Sequence, residues 1–88
     1  MTYRVLLHLK ANESLRDFEK RTRERIKDKL DELKTKPKKG KKLRRLKYWR
    51  LRVGDYRAIY EVKNEDEEVI VLFIGHRNDV YDDFSKLI

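Results

Sequence analysis

The stretch between Tyr48 and Val62 constrains the fold more than any other part of the chain. Apolar and polar side chains alternate there, and Gly54-Asp55 interrupts the alternation near its centre. A period of two is typical of a β-strand with one buried face, and glycine as the first of two turn residues suits a type II′ turn. The stretch therefore predicts a β-hairpin whose turn sets the register: Val53 opposite Tyr56, Arg52 opposite Arg57, Leu51 opposite Ala58, and Arg50 opposite Ile59.

This register gives the hairpin two different faces. The core face is predicted to carry Trp49, Leu51, Val53, Tyr56, Ala58 and Tyr60. The other face presents Arg50, Arg52 and Arg57, and like charges opposed across strands destabilise a hairpin. An anion is the predicted partner, because the planar guanidinium fork suits phosphate. The alternative is that these arginines are merely solvated, or pair with acids such as Glu61 or Glu68.

The first half of the chain predicts one strand and a helical hairpin. Residues 2–9 are rich in tyrosine, valine and leucine and are interpreted as a strand, after which Asn12 or Ser14 can cap a helix. Apolar residues then recur at helical spacings with a weak phase near residues 21–24, which favours two amphipathic helices over one long helix. Pro37 ends the second helix, and residues 38–42 are predicted to form a basic loop.

The second half completes a predicted α+β fold. Val69 to Ile74 is a continuous apolar run, as expected for a strand covered on both faces, and Gly75-His76-Arg77 follows it. Val80 and Phe84 begin a helical spacing that predicts a short C-terminal helix. We expect residues 1–88 to form one domain, since domains usually need about 100 residues each.

Composition excludes several classes of protein. The 88 residues include no cysteine and two histidines, so neither a disulfide framework nor a thiolate metal site is possible, and we predict no cofactor and no metal. No apolar stretch approaches the roughly 20 residues of a membrane span, and residues 1–4 do not resemble a signal peptide. The sequence therefore predicts a cytoplasmic protein without a membrane partner.

Charge indicates the kind of partner instead. The formal net charge is +8, and no acidic residue occurs between Leu33 and Gly54. Such a concentration of cations favours nucleic acid, a ribosome surface or an acidic protein. An alternative is that abundant lysine and glutamate serve stability, as on thermophile surfaces. The predicted RNA-binding residues are Lys38, Lys39, Lys41, Lys42, Arg44, Arg45 and Lys47.

Two motifs resemble a known family. The hairpin Gly54-Asp55-Tyr56-Arg57-Ala58-Ile59-Tyr60 and the later Gly75-His76-Arg77-Asn78-Asp79-Val80-Tyr81 occur in the order found in RelE-type toxins of the RelE/ParE superfamily. The resemblance implies a four-stranded, mostly antiparallel twisted sheet with an N-terminal helical hairpin and a short C-terminal helix. It also implies a ribosome-dependent endoribonuclease that cleaves messenger RNA, a cognate RelB-like antitoxin, and a toxin–antitoxin heterotetramer.

The resemblance also implies roles for individual residues. Arg50 and Arg52 match basic residues, commonly lysines in the family, that contact the scissile phosphate. Arg57 would stabilise the transition-state charge, Arg77 would lie beside the leaving group, and Tyr81 would stack on or activate the substrate nucleotide. The RNA 2′-hydroxyl would be the nucleophile, a route that requires no metal.

The arginines at positions 50 and 52 depart from the family pattern. A guanidinium is effectively never deprotonated in proteins, so these residues can supply charge but not proton transfer. His76 is the one nearby side chain of a type that often serves as a general acid or base, yet it should point away from Arg77, which favours a structural histidine. His8 is also interpreted as structural. Two other functions remain open: a ParE-like toxin that inhibits DNA gyrase, and a non-catalytic module that binds RNA or the ribosome.

Overall fold

The chain adopts an α+β fold in which helices cover one face of a mixed sheet, and the computed structural model describes residues 2–44 and 46–80. Within these residues the sheet has five strands in the order β1-β5-β4-β3-β2, with β1 parallel to β5 and the other neighbours antiparallel. The elements are β1 (Arg4–Leu7), α1 (Leu9–Asp17), α2 (Lys20–Asp31), a 3-10 turn (Glu32–Lys34), β2 (Lys41–Lys42), β3 (Tyr48–Val53), β4 (Tyr56–Lys63) and β5 (Glu68–His76).

The predicted fold class is confirmed, with one strand more than predicted. The additional strand is β2, which lies in the stretch predicted as a basic loop and pairs with β3 through Lys41 opposite Arg50 and Lys42 opposite Trp49. The predicted C-terminal helix lies, beyond Val80, outside the described residues. None of the described helices has the length and apolar character needed to cross a membrane.

The helical hairpin is confirmed, but its first helix starts earlier than predicted. The α1 helix begins at Leu9, and the His8 side chain caps it by accepting a hydrogen bond from the Lys10 backbone N–H at 3.3 Å. Asn12 and Ser14, the predicted caps, lie inside the helix. Starting at Leu9 gives α1 an additional turn, and this turn brings Ala11 into the core, where it is fully buried. His8 therefore has a structural role as a helix cap.

The hairpin between β3 and β4 has the predicted register and the predicted faces. Arg52 lies opposite Arg57 and Val53 opposite Tyr56. Gly54 has a φ of +59° whereas Asp55 is not in the left-handed region, the pattern of a type II′ turn. The apolar face joins the main core, which contains Ala11, Leu15, Ile26, Leu30, Leu33, Leu51, Val53, Ala58, Tyr60, Val69, Val71 and Ile74.

A bulge in β5 changes which of its side chains face the helices. Ile59 pairs with Phe73 and Tyr60 pairs with Val71, so Leu72 has no direct partner on β4. Because side chains alternate along a strand, this extra residue reverses the alternation: Val71 is in the main core before the bulge and Ile74 after it. The continuous apolar run in the sequence thus reflects the bulge as well as the burial of the strand.

The sheet face opposite the helices is only partly polar. Ile59 lies on it between the positions of Arg57 and Glu61 and is fully buried together with Val80. Leu43, Leu46, Tyr48 and Phe73 pack against this pair. The predicted arginine face therefore surrounds a small second apolar cluster, which the alternation of the hairpin alone does not reveal.

Gly40 fixes the position of β2 against β3. A Cβ atom at this glycine would lie 2.4 Å from the Arg50 carbonyl oxygen and 2.8 Å from the Tyr60 hydroxyl oxygen. The Gly40 backbone N–H donates a hydrogen bond to that hydroxyl at 3.0 Å. The start of β2 is therefore in close contact with the sheet, and only glycine fits there.

We expect Gly40→Ala to lower the free energy of unfolding by about 1–3 kcal/mol, the usual cost of forcing additional volume into a filled space. Gly75→Ala is the matched control, since its Cβ would meet the nearest atom, the Val80 Cβ, at an ordinary 3.5 Å. Urea unfolding followed by circular dichroism measures both changes. Equal stability of the two variants would contradict close packing at Gly40.

Candidate nucleic-acid interface

Arg57 is held by the turn that it follows. Its Nη1 donates hydrogen bonds to the carbonyl oxygens of Gly54, at 2.8 Å, and Tyr56, at 2.9 Å. The side chain is half-buried, whereas Arg52, directly opposite, is exposed. These hydrogen bonds direct the guanidinium towards the turn. Arg57 therefore stabilises the hairpin through the turn as well as opposing Arg52 across the strands, a structural contribution that the sequence pattern does not predict.

Arg77 reaches the same end of the sheet from β5. Its backbone N–H donates to the Asp55 carbonyl oxygen at 2.8 Å, and Gly75, two residues earlier, lies opposite Arg57. The Arg77 side chain is exposed. We call Arg52, Arg57 and Arg77 the arginine cluster, because the backbone pairing brings all three to the β3–β4 turn.

Of the two remaining predicted catalytic residues, Arg50 and Tyr81, the structure describes only Arg50. Arg50 is half-buried on β3, two residues from Arg52 and on the same face, so it continues the arginine cluster away from the turn. Tyr81 lies outside the described residues. The structure thus places Arg50, Arg52 and Arg57 on one face of the sheet, and Arg77 follows the end of β5 beside the same hairpin turn.

His76 points to the other side. It pairs with Tyr56, and the two rings meet edge-on with their centroids 5.9 Å apart. Its Nδ1 accepts a hydrogen bond from the Asn78 backbone N–H at 3.3 Å. Tyr56 packs against the main core and contacts Phe18 with ring centroids 4.9 Å apart. His76 therefore has ring and backbone contacts on the helix side, which agrees with the structural interpretation of this residue.

Arg25 is a cation near the turn that sequence reasoning missed. A Cβ on Gly54 would lie 3.0 Å from its Nη1 and 3.2 Å from its Cζ, so the guanidinium of this α2 residue rests on the turn glycine. The Gly54 backbone thus has Arg25 against its α-carbon and Arg57 on its carbonyl oxygen. An exposed arginine on a helix gives no sequence signal, and only the packing around Gly54 reveals its position.

The predicted RNA-binding residues fall into different environments. Lys39 forms an ion pair with Glu32 and donates a hydrogen bond to its carboxylate. This hydrogen bond holds the pKa of the Glu32 carboxyl below its ordinary value. Lys47 lies 3.5 Å from Glu61, with its Nζ 5.6 Å from the Tyr48 ring centroid. The alternative that the charged residues serve stability therefore fits these two lysines. Lys38, Lys41, Lys42 and Arg44 are exposed, and Arg45 lies outside the described residues.

A shallow groove of about 300 Å³ joins the basic stretch to the arginines. It is lined by Lys39, Gly40, Lys41, Arg50, Leu51 and Arg52. No group of three or more metal-ligating side chains is present in residues 2–44 and 46–80. The guanidinium and ammonium groups that line the groove can neutralise the negative charge of a bound anion.

The fold and this interface define a class: a small α+β protein that carries a cluster of arginines beside the turn of its central hairpin. The family model described as "ParE toxin of type II toxin-antitoxin system, parDE" matches residues 5–81. No curated protein sequence matches the chain. The chain belongs to the RelE/ParE toxin superfamily, as its two motifs predict.

Solved structures of RelE toxins have the same fold. A doubly substituted Escherichia coli RelE in the free state is 30% identical, with a TM-score of 0.81 over 100% of this chain and 99% of the other. The RelBE2 toxin–antitoxin complex of Mycobacterium tuberculosis is 27% identical, with a TM-score of 0.81 over 88% and 100%. The archaeal RelE–RelB complex of Pyrococcus horikoshii is 30% identical, with a TM-score of 0.77 over 88% and 97%.

Proposed function

We propose that this toxin is a ribosome-dependent endoribonuclease that cleaves messenger RNA in the cytoplasm and thereby inhibits translation. The observation that carries the proposal is the convergence of the arginine cluster on the β3–β4 turn, where Arg57 is fixed by two hydrogen bonds. A preorganised cation stabilises developing negative charge without reorganising during the reaction. This arrangement suits a phosphate whose charge grows in the transition state.

In the proposed reaction the RNA 2′-oxygen attacks the adjacent phosphorus, and the bond from phosphorus to the 5′-oxygen of the next nucleotide breaks. The 2′-hydroxyl loses its proton and the leaving oxygen gains one. Arg50 and Arg52 neutralise the non-bridging oxygens, Arg57 stabilises the additional transition-state charge, and Arg77 lies beside the leaving oxygen. Tyr81 stacks on or activates the substrate nucleotide. The chemistry needs no metal.

The proposed inhibitor is a RelB-like antitoxin. Toxin and antitoxin are proposed to assemble as a heterotetramer. Structural neighbours from four organisms are RelB–RelE toxin–antitoxin complexes. The surface of β1 and the start of α1 offers apolar contacts for such a partner, since Leu6 is 42% exposed and Leu9 is 67% exposed. With a net charge of +8, the toxin would attract an acidic, amphipathic segment.

Inhibition of DNA gyrase is the second candidate function. One observation favours it: the matching family model is that of a ParE toxin. The presence of both Arg77 and Tyr81 in the sequence favours the ribonuclease, because ParE-like toxins generally lack this ending. A non-catalytic module that binds RNA or the ribosome is a further outcome of the same test.

The deciding experiment gives the purified toxin two targets. Ribosomes programmed with a defined messenger RNA are incubated with the toxin, and new 5′ ends are mapped by primer extension. In parallel, DNA gyrase is assayed for supercoiling. The proposal expects cuts in the messenger RNA and unchanged supercoiling. Loss of supercoiling without cuts would establish the gyrase function, and salt-dependent ribosome binding without either effect would establish the non-catalytic module.

A further inference from the structure

The contact between Gly40 and Tyr60 fixes the position of a charged residue, Lys41, as well as the packing of β2. Tyr60 is fully buried, and burial raises the pKa of its hydroxyl above the ordinary value. This hydroxyl accepts the Gly40 N–H, and the next residue, Lys41, then enters β2 opposite Arg50. A polar atom in the core therefore determines where one exposed lysine is held.

Lys41 extends the cationic face by one strand. Opposed residues share a face, so Lys41 lies beside Arg50, and Arg52 follows on the same side of β3. Within residues 2–44 and 46–80, no carboxylate lies within the 4 Å of an ion pair from Lys41 or Arg52. The close contact between Gly40 and the Arg50 carbonyl oxygen fixes Lys41 in this position beside Arg50.

The outer end of the groove, at Lys41, lies apart from the β3–β4 turn. Arg50 is three residues from Val53, or about 10 Å along β3 at the usual rise per residue. Lys41 lies still farther towards the sheet edge, because β2 is the outermost strand on that side. An anion bound by Lys41 is therefore a different group from the one beside Arg57 and Arg77.

We propose that Lys41, at the outer end of the groove lined also by Gly40, Arg50 and Arg52, binds a second RNA phosphate, which is the neighbour of the phosphate that Arg50 and Arg52 would neutralise during cleavage. This inference rests on the proposed function for the identity of its ligand. Lys41 binds the phosphate, and Tyr60 is a positioning residue that acts through Gly40. Lys41 therefore differs from the other lysines of the basic stretch, because the groove holds it at a defined position for phosphate binding.

The test uses a short fluorescent single-stranded RNA with 2′-O-methyl groups, which binds but cannot be cut. Its affinity for the full-length toxin is measured by anisotropy over a range of salt concentrations. We expect Lys41→Ala to weaken binding about tenfold at low salt and to reduce the slope of log K against log salt by about 0.7, the value for one contact to a single strand.

Lys63→Ala is the matched control. Lys63 is also an exposed lysine on the same sheet face, but it lies at the far end of β4, and its removal changes the net charge equally. We expect it to alter the affinity less than twofold. Equal losses for the two variants would overturn the proposal, because they would mean that RNA responds only to the net charge.

Tyr60→Phe separates positioning from stability. It leaves every charge in place and removes only the hydroxyl that holds Gly40. At a temperature where the variant is fully folded by circular dichroism, we expect RNA binding to weaken several-fold. A lowered melting temperature with unchanged RNA affinity would show that the hydroxyl serves only the core and would overturn its role in the groove.

The outcomes are distinguishable from those of the proposed function. The binding assay needs neither ribosomes nor cleavage, so a toxin that fails to cut messenger RNA could still show the Lys41 effect. Conversely, mapped cuts in messenger RNA together with equal effects of Lys41→Ala and Lys63→Ala would support the ribonuclease and eliminate the groove.

Discussion

Replacing Arg57 with alanine should lower the single-turnover rate of messenger RNA cleavage at saturating ribosomes by about a hundredfold or more, the scale of losing one transition-state charge contact. The same variant should melt at a lower temperature, because it also loses the hydrogen bonds to the Gly54 and Tyr56 carbonyl oxygens. Single-turnover kinetics and thermal unfolding measure the two effects. Cross-strand repulsion alone would instead predict an unchanged or slightly higher melting temperature.

The Arg52→Ala variant separates the effect on the cleavage rate from the effect on stability. Arg52 is exposed, so its removal should leave the melting temperature unchanged or slightly raised while the rate falls by a similar factor. A stable Arg52→Ala variant with an intact rate, together with an Arg57→Ala variant that fails only by unfolding, would contradict the catalytic interpretation. The arginines would then be a solvated strand surface with one structural member.

Cleavage of programmed ribosomes should exceed cleavage of the same RNA in free solution by about a thousandfold or more at equal toxin concentration, because positioning alone can supply several kcal/mol of the barrier. The arginine cluster consists of guanidinium groups, which do not transfer protons, and His76 lies on the opposite face. The ribosome would therefore have to hold the 2′-hydroxyl and the phosphate in line. Quenched time courses with end-labelled RNA measure both rates.

Equal cleavage rates on free and ribosome-bound RNA would contradict the claim that the ribosome positions the substrate while the toxin supplies charge. They would require a general base within the toxin itself, and Tyr81 would be the first residue to test by substitution with phenylalanine.

Local patterns predicted the central hairpin well. Alternation and a turn beginning with glycine determine which residues oppose each other, and both signals lie within a short stretch of sequence. The observed pairs of Arg52 with Arg57 and of Leu51 with Ala58 follow directly from them. The placement of Arg52 and Arg57 on one face was predictable for the same reason, whereas the position of Arg77 was implied only by the resemblance to RelE-type toxins.

Features that depend on distant contacts were not predictable. The short strand β2 is held where it is by the fit of Gly40 against the Arg50 carbonyl group, ten residues away in the sequence, and lysines themselves do not favour strands. The bulge at Leu72 and the contact of Arg25 with Gly54 likewise arise from packing between elements. His8 was missed as a cap because histidine is not among the usual capping residues.

Because β1 pairs with β5, the sheet can be completed only late in the synthesis of the chain. Arg4 and Glu68 are partners in this pair although 64 residues separate them in the chain. At a typical 5–20 residues per second, β5 is made about 3–13 s after β1. During that interval β1 has no strand beside it, and Arg77 does not yet exist. A growing chain therefore cannot assemble the arginine cluster that would cut messenger RNA, and that surface forms only when the fold is nearly complete.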